Sequence, residues 1–438
     1  MLAALAVLGA VVGGMQDPGE VREPSTRTLV ASGNALSVSI ELGNDAKTVF
    51  SARPDGLVHR WSLETGRLVE AFGTSEHRFR TFAARPDGGA VATGDDEGVL
   101  RIWGPDAVKP LRELRGHRPM LSRIAWSPDG SRVATIGQQW EMFLWDPAED
   151  EPLVRFMPAD WSGSSCRLAF SPDGRLLAVC MGSDILRLYD AQSGRLEREL
   201  EASGAHALGM LFSPDGNLLL QWTSQGSDSG WYHVWDVRTG DRRRFGERSW
   251  FDDRSGEELH VARFSTDGSR LMAFSIHGAF ECRRTTDFEV VSSFHLRGGR
   301  GWPPGNRADV HPDRSLLVDY GKGTKPLLFS TEDGRELGAL DCVDRYEFTF
   351  DHSGTRLIAM REHYLRVYDV ASRELLLTRV EYKHGAWLAI TPDLSYVATP
   401  MAEQWARVGR GGSQPALLPL DPARRNPDAV RASLTRAR

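Results

Sequence analysis

The sequence predicts an all-β repeat protein, and three observations carry that prediction. The first is a turn that recurs along the 438 residues. It reads Arg85-Pro86-Asp87-Gly88, Ser127-Pro128-Asp129-Gly130, Ser171-Pro172-Asp173-Gly174 and Ser213-Pro214-Asp215-Gly216. Altered copies follow at Ser265-Thr266-Asp267-Gly268, His311-Pro312-Asp313-Arg314, Asp351-His352-Ser353-Gly354 and Thr391-Pro392-Asp393-Leu394. From Asp87 the steps are 42, 44, 42, 52, 46, 40 and 40 residues, a period that suits one four-stranded propeller blade. The second observation is a β-branched, leucine and aromatic stretch on either side of each turn, which fits strands better than helices. The third is a repeated ending further on: Arg60-Trp61, Ile102-Trp103, Leu144-Trp145-Asp146, Leu188-Tyr189-Asp190, Val234-Trp235-Asp236 and Val367-Tyr368-Asp369.

One unit shows how each element is justified. Leu121 to Trp126 reads as a strand and the Pro-Asp-Gly turn reverses it. Proline presets φ there, aspartate bonds its own backbone and glycine accepts positive φ. Arg132 to Ile136, Met142 to Trp145 and Pro152 to Phe156 supply the second, third and fourth strands. Residues 48–63 match the second and third strands of a unit upstream, with Arg53-Pro54-Asp55-Gly56 between them and Gly43-Asn44-Asp45-Ala46 as the earlier turn. That makes nine repeat units, read as a single closed β-propeller of eight or nine four-stranded antiparallel blades over residues 26–410. The units near 306–330 and 385–408 match least well. Arg27 to Ser32 is a strand-like piece without a unit, expected to complete the last blade; Ala416 to Leu420 competes for that place.

These turns and Trp-Asp endings together resemble the WD-repeat (WD40) β-propeller family. The resemblance implies an interaction platform, and a buried network of a His before the first strand, a Ser or Thr on the second, an acid in the next turn and the Trp of the third. Carried over, the first blade has Ser51, Asp55 and Trp61. The second has His77, Thr93 and Trp103, with Glu97 at the acidic place. The third has His117, Thr135 and Trp145, with Gln139 there. No blade then holds the complete set, and such groups serve structure rather than catalysis.

A net charge of −6 is mild for this length and gives no reason to expect nucleic acid or a membrane surface as a general partner. Leu2 to Val12 is apolar and too short to span a bilayer. With the residues to 16 it resembles a secretory signal peptide without its basic start, so the expectation is an exported monomer, or a cytoplasmic one if that segment is only a hydrophobic N-terminus. Four cysteines are too few for a disulfide scaffold, and they show no metal-ligand spacing. If Phe170 pairs with Leu176, Cys166 falls opposite Cys180, as either a disulfide or two buried thiols.

Chemistry finds little support. Gly226-Ser227-Asp228-Ser229-Gly230 is not a nucleophile elbow, and Gly321-Lys322-Gly323-Thr324 is a turn lacking the upstream glycine of a phosphate loop. The expectation is a non-enzymatic protein-binding scaffold without cofactor or metal. A metal-dependent hydrolase or lactonase and an envelope-complex accessory propeller are the alternatives. Partner contacts fall to long aromatic loops, with Trp250, Phe251, Arg300 and Trp302 as candidates. The Arg-rich tail 411–438 is expected to be solvated, with a short helix after Asn426-Pro427-Asp428.

Overall fold

Among the described residues of the computed structural model, thirty-six short strands, two short α-helices and one 3-10 turn follow one another. The structure describes residues 39–435 apart from single residues and the segments 43–46, 53–55, 74–78, 157–165, 182–184, 201–206, 224–231, 246–258, 276–278, 297–307, 320–325, 341–346, 362–363, 382–386 and 410–416. The protein is an all-β propeller of eight four-stranded antiparallel blades. Blade one is β1 to β4 (Ser39–Leu42, Thr48–Ala52, Leu57–Ser62, Leu68–Gly73) and blade two is β5 to β8 (Thr81–Ala84, Val91–Gly94, Leu100–Trp103, Arg112–Leu114). Blade three is β9 to β12 (Leu121–Trp126, Val133–Gly137, Met142–Trp145, Val154–Phe156) and blade four is β13 to β16 (Cys166–Phe170, Leu176–Met181, Ile185–Asp190, Leu196–Leu200). Blade five is β17 to β20 (Ala207–Phe212, Leu218–Thr223, Tyr232–Asp236, Arg242–Phe245) and blade six is β21 to β24 (Leu259–Phe264, Arg270–Ser275, Ala279–Arg284, Val290–His295). Blade seven is β25 to β28 (Asp309–Val310, Leu316–Asp319, Leu327–Ser330, Glu336–Ala339) and blade eight is β29 to β32 (Glu347–Phe350, Arg356–Arg361, Tyr364–Asp369, Leu375–Glu381).

The recurring turn joins the first two strands of a blade through one set of hydrogen bonds. In blade four, Ser171 Oγ donates to Asp173 Oδ1 (2.5 Å) and accepts from Leu176 N (2.9 Å), while Arg175 N donates to the same carboxylate oxygen (3.0 Å). Blades three, five and six repeat this with Ser127, Ser213 and Ser265. Gly174 sits at φ +72°, which only glycine adopts cheaply. The hydroxyl bond holds Asp129 and Asp173 below the ordinary carboxylate range, and Asp267 is lowered to about 2.

The chain forms two compact units. The larger holds blades two to six and most of blade seven, and each pair of successive blades there shares an apolar cluster. Ala92, Ile102 and Leu114 of blade two meet Trp126, Phe143 and Trp145 of blade three; Ala178 and Leu188 of blade four meet Phe212 and Trp235 of blade five. The turn before each fourth strand leans on the fourth strand of the preceding blade. A Cβ on Gly194 would lie 1.6 Å from Val154, and Arg198 donates to the carbonyls of Arg238 and Thr239 (2.8 and 3.1 Å).

The smaller unit contains blade one, blade eight and the C-terminal residues, so the first and last blades of the chain pack on each other. Trp61 and Val49 meet Val367, Leu377 and Trp387 in one core. Arg379, fully buried on β32, lies over both tryptophan rings, 5.5 Å from Trp61 and 4.6 Å from Trp387, and donates to Gly66 O (3.3 Å). Arg356 donates to Leu63 O (3.0 Å) and Leu434 O (2.6 Å).

Eight blades is the lower of the two counts expected. The turn of the last repeat unit joins β33 (Trp387–Ile390) to β34 (Tyr396–Ala398), a hairpin paired onto β32. The chain then enters helix α1 (Pro400–Trp405) instead of a third strand, with Pro400 at the first helical position and Thr399 Oγ1 accepting from Ala402 N (3.4 Å). Leu417–Pro419 forms β36, which pairs with the strand around Val408, β35 (Arg407–Gly409), as one of the two candidates for that place, in a two-stranded ribbon. Arg27 to Ser32 and the N-terminal apolar segment lie outside the described residues.

Two expectations need correction. In blade four the turn closes one residue later than assumed, with Ser171 N donating to Leu176 O (2.9 Å), so Phe170 pairs with Leu177. That slip places residue 166 opposite Met181 and not opposite Cys180. Cys180 is a buried thiol that accepts from Gln221 Nε2 (2.9 Å) and that burial pushes up to about 12. The second is the tail. Helix α2 (Pro427–Thr435) forms as expected, capped by Asn426 Oδ1 accepting from Ala429 N (3.0 Å), but one of its faces is buried. Val430 and Leu434 are fully buried against blades one and eight.

Arg379→Ala is expected to lower stability by about 3 kcal/mol or more, since a desolvated cation–π pair and a charge-assisted hydrogen bond disappear together. Urea denaturation of the variant, read at the midpoint, checks it. Deleting residues 427–438 is expected to lower the same midpoint.

Candidate interaction surface

In an antiparallel blade the first-to-second and third-to-fourth turns share one end. The second-to-third turns and the links between blades share the other. The links 246–258 and 297–307, which carry Trp250, Phe251, Arg300 and Trp302, leave from this second end and lie outside the described residues. Blades two and three give the described view of it.

There the structure brings together more of the predicted network than the sequence did. Trp145 Nε1 donates to Thr135 Oγ1 (2.7 Å), and Thr135 Oγ1 is 2.6 Å from His117 Nε2. His117 Nδ1 is 3.1 Å from Glu141 Oε1, which also accepts from Arg118 N (3.1 Å). The acid is therefore Glu141 and not Gln139, which is exposed and accepts from Arg118 (2.7 Å). Glu141 immediately precedes Met142, the first residue of β11, which pairs with Ile136. Blade three thus holds a complete set.

Every bond in this chain is satisfied by one protonation state. Ionised Glu141 takes the Nδ1 proton, neutral Nε2 accepts the Thr135 hydroxyl, and the Thr135 oxygen accepts from Trp145. Burial lowers His117 below its ordinary value, with Glu141 opposing. Burial alone would raise Glu141, but the His117 and backbone hydrogen bonds hold it below the usual range. The His117 ring is wholly buried and stacks on Phe143 at 4.1 Å.

In blade two Trp103 Nε1 donates to Thr93 Oγ1 (2.9 Å) as expected. His77 lies outside the described residues. Buried Asp95, two residues before exposed Glu97, accepts from Glu97 N (2.9 Å) and Val99 N (2.8 Å) and binds buried Arg101, which also holds Glu113 (3.0 Å). In blade one Ser51 is buried, Asp55 lies outside the described residues, and Trp61 Nε1 has no hydrogen-bond partner among the described residues; its ring packs under Arg379 instead.

The two networks meet. A Cβ on Gly98, at φ +81°, would lie 2.5 Å from Arg118 O and 2.9 Å from His117 O, so only glycine admits this approach. Leu121 N donates to Asp95 O (3.0 Å) and Gln138 N to Met120 O (2.8 Å). On this braced backbone stand exposed Asp96, Glu97, Arg115, Arg118, Gln138 and Gln139. Glu141 and Asp95 were legible as acids flanking the predicted positions. Among the described residues no group of three or more His, Cys, Asp and Glu has the arrangement of a metal site, and no helix is long and apolar enough to cross a membrane.

The blades, their Trp–Thr–His bonds and the following likenesses make the chain similar to the WD-repeat β-propeller family. Residues 108–146, one repeat, match the family model "WD domain, G-beta repeat". The chain is 29% identical over 121 residues to the mouse "U3 small nucleolar RNA-interacting protein 2", covering 24% of this chain and 25% of that protein. It is 31% identical over 72 residues to "Meiotic fizzy-related protein 1" of Schizosaccharomyces pombe, covering 16% and 17%. It is 23% identical over 160 residues to "WD repeat-containing protein SL1-17" of Schistosoma mansoni, covering 36% and 52%. The matches thus span about half the length of these relatives at most. Among solved structures, the computationally designed Ika8 protein is similar at TM-score 0.59 and 15% identity, covering 77% of this chain and 98% of that one. The C-terminal WD40 domain of Sif2 is similar at 0.56 and 14%, covering 74% and 94%. These structural likenesses concern the fold.

Trp145→Ala is expected to destabilise by roughly 3–5 kcal/mol, because the ring is buried and carries the Thr135 bond; an unchanged denaturation midpoint contradicts it. The unfolded chain binds the His117 proton more readily than the folded one, so stability is expected to fall below the ordinary histidine pKa of about 6.5, by up to about 1 kcal/mol at pH 5.5. Denaturation at pH 7.5 and 5.5 checks this, with His117→Gln expected to lose less than the parent.

Proposed function

We propose that the protein is a non-enzymatic interaction scaffold that presents a protein partner with the loop end of its blades. The observation that carries this reading is the braced surface of blades two and three. Six exposed polar side chains stand on backbone held by buried Glu141, His117, Asp95 and Arg101. Fixing such groups before binding lowers the ordering cost of association. Likeness to a family that mostly serves as interaction platforms supports it by analogy. Trp250, Phe251, Arg300 and Trp302, on links leaving the same end, are proposed to widen the contact. The printed name of one relative refers to a nucleolar RNA, so an RNA-bearing partner is the second source to test. Export, read from Leu2 to Val12, belongs to the proposal and not to its support.

The test is crosslinked affinity capture of the tagged full-length chain from fractionated cells of its native host, with and without ribonuclease. A discrete protein captured by the parent and reduced at least tenfold by Arg118→Glu or Trp302→Ala, with melting unchanged, is the expected result. Capture indifferent to both variants removes this end of the blades from consideration. Capture abolished by ribonuclease moves the partner to an RNA-bearing particle, and the fraction holding the complex decides the compartment.

A further inference from the structure

The charges at the loop end of blades two and three divide into paired and unpaired ones. Arg115 binds Glu113 (3.2 Å), and buried Arg101 binds both Asp95 and Glu113. Arg118, Arg123 and Glu97 are exposed, and among the described residues none of the three takes part in an ion pair. Glu97 and Arg118 are neighbours across the two blades, since a Cβ on Gly98 would lie 2.5 Å from Arg118 O. Their backbones touch while their opposite charges stay apart.

The two unpaired arginines attend one turn. Arg118 Nη1 donates to Gln139 Oε1 (2.7 Å) in the turn from β10 to β11, and Arg118 N donates to buried Glu141 (3.1 Å). The amide oxygen of Gln139 holds the guanidinium without neutralising it. Arg123 lies on β9 opposite Ile136, at the start of the same turn. A third arginine follows in register. Arg123 stands four residues before Ser127 and Arg167 four before Ser171, on the first strands of blades three and four, which run next to each other. Blades two, five and six carry Thr81, Gly209 and Val261 at this place. Two residues further along the same face stand Ala125 and Ala169, which take up little room. Arg167 is half-buried beside Arg123.

We propose that this surface binds an acidic segment of the partner protein, with its carboxylates on Arg118 and Arg123, Arg167 beside them, and a basic residue facing Glu97 on blade two. The inference rests on the reading that the loop end takes a protein partner, and it names the chemistry of that partner. A guanidinium fork matches a carboxylate with two parallel hydrogen bonds. Arg118, already held by Gln139, loses little freedom when it binds. A nucleic acid suits the place less well. Its phosphates repeat without interruption, and exposed Asp96 and Glu97 stand in their path next to Arg118. A segment of mixed sign meets both charges in one register only.

The probe is a labelled peptide of alternating glutamate and glycine with one lysine at its end, titrated into the full-length protein. Saturable binding is expected, falling as salt is raised and weakened at least tenfold by Arg118→Glu combined with Arg123→Glu. Both side chains are exposed, so the double variant is expected to keep its melting temperature; Arg123→Gln is a milder change expected to act in the same direction. Arg175→Glu, at an exposed arginine on the other end of blade four, is expected to leave binding unchanged. Absence of saturable binding to the parent overturns the proposal, as does equal binding to parent and double variant. An oligouridylate of the same length that binds at least tenfold more tightly than the peptide overturns the choice of a protein segment. Capture of a cellular protein that depends on Trp302, with no peptide binding, leaves the scaffold reading standing and removes this inference alone.

Discussion

A four-stranded blade has two apolar faces and nothing of its own to cover them. Burial of each blade is therefore a property of its neighbours, and stability is largely a sum of neighbour contacts. The clusters show this directly. Leu144 and Met142 of blade three are covered by Leu177 and Val179 of blade four; Val234 of blade five by Ala262 and Leu271 of blade six; Phe280 of blade six by Val310 and Leu317 of blade seven. Every other device described above, from the turn hydrogen bonds to the clasp between fourth strand and following turn, keeps these faces in register.

Because the contact repeats, departures from it are informative. The third-to-fourth turn often takes a left-handed residue, and glycine supplies it in blades one, four, five and seven. Blade six uses Phe288 at φ +62° instead, and its ring stacks on Phe245 of blade five at 5.0 Å, beneath Arg243. The strain of a bulky residue there, of order 1–3 kcal/mol, is offset by an aromatic contact that glycine lacks. Blade eight departs in another way: it replaces a simple contact with two buried arginines, two tryptophans and a helix. Arginine suits the place because its planar head lies flat on indole while its donors reach backbone carbonyls.

Turns and third-strand endings were legible because each needs particular residues: serine and aspartate for reciprocal bonds, glycine for positive φ, tryptophan for a ring with a donor. The strands of blade three lie almost where the pattern puts them. What failed was register. A single residue at Ser171 separates Cys166 from Cys180, and in the turn between β10 and β11 it is Glu141, not Gln139, that reaches His117. Spacing in a sequence does not show which residue of a turn points inward. The docking of α2 was illegible for a different reason. Val430 and Leu434 make a thin stripe on a nine-residue helix, and nothing local shows that the junction of blades one and eight leaves a recess for it.

The bond from Arg379 to Gly66 joins residues 313 apart, and that from Arg356 to Leu63 residues 293 apart. A ribosome adding about 5–20 residues each second finishes blade one well before its partner exists. For a quarter of a minute or more, Val49 and Trp61 wait without the surface that covers them in the finished molecule. The start of the chain therefore keeps an apolar face uncovered for as long as its end is unmade, and a chain broken off before Arg379 leaves that face without the residues that cover it.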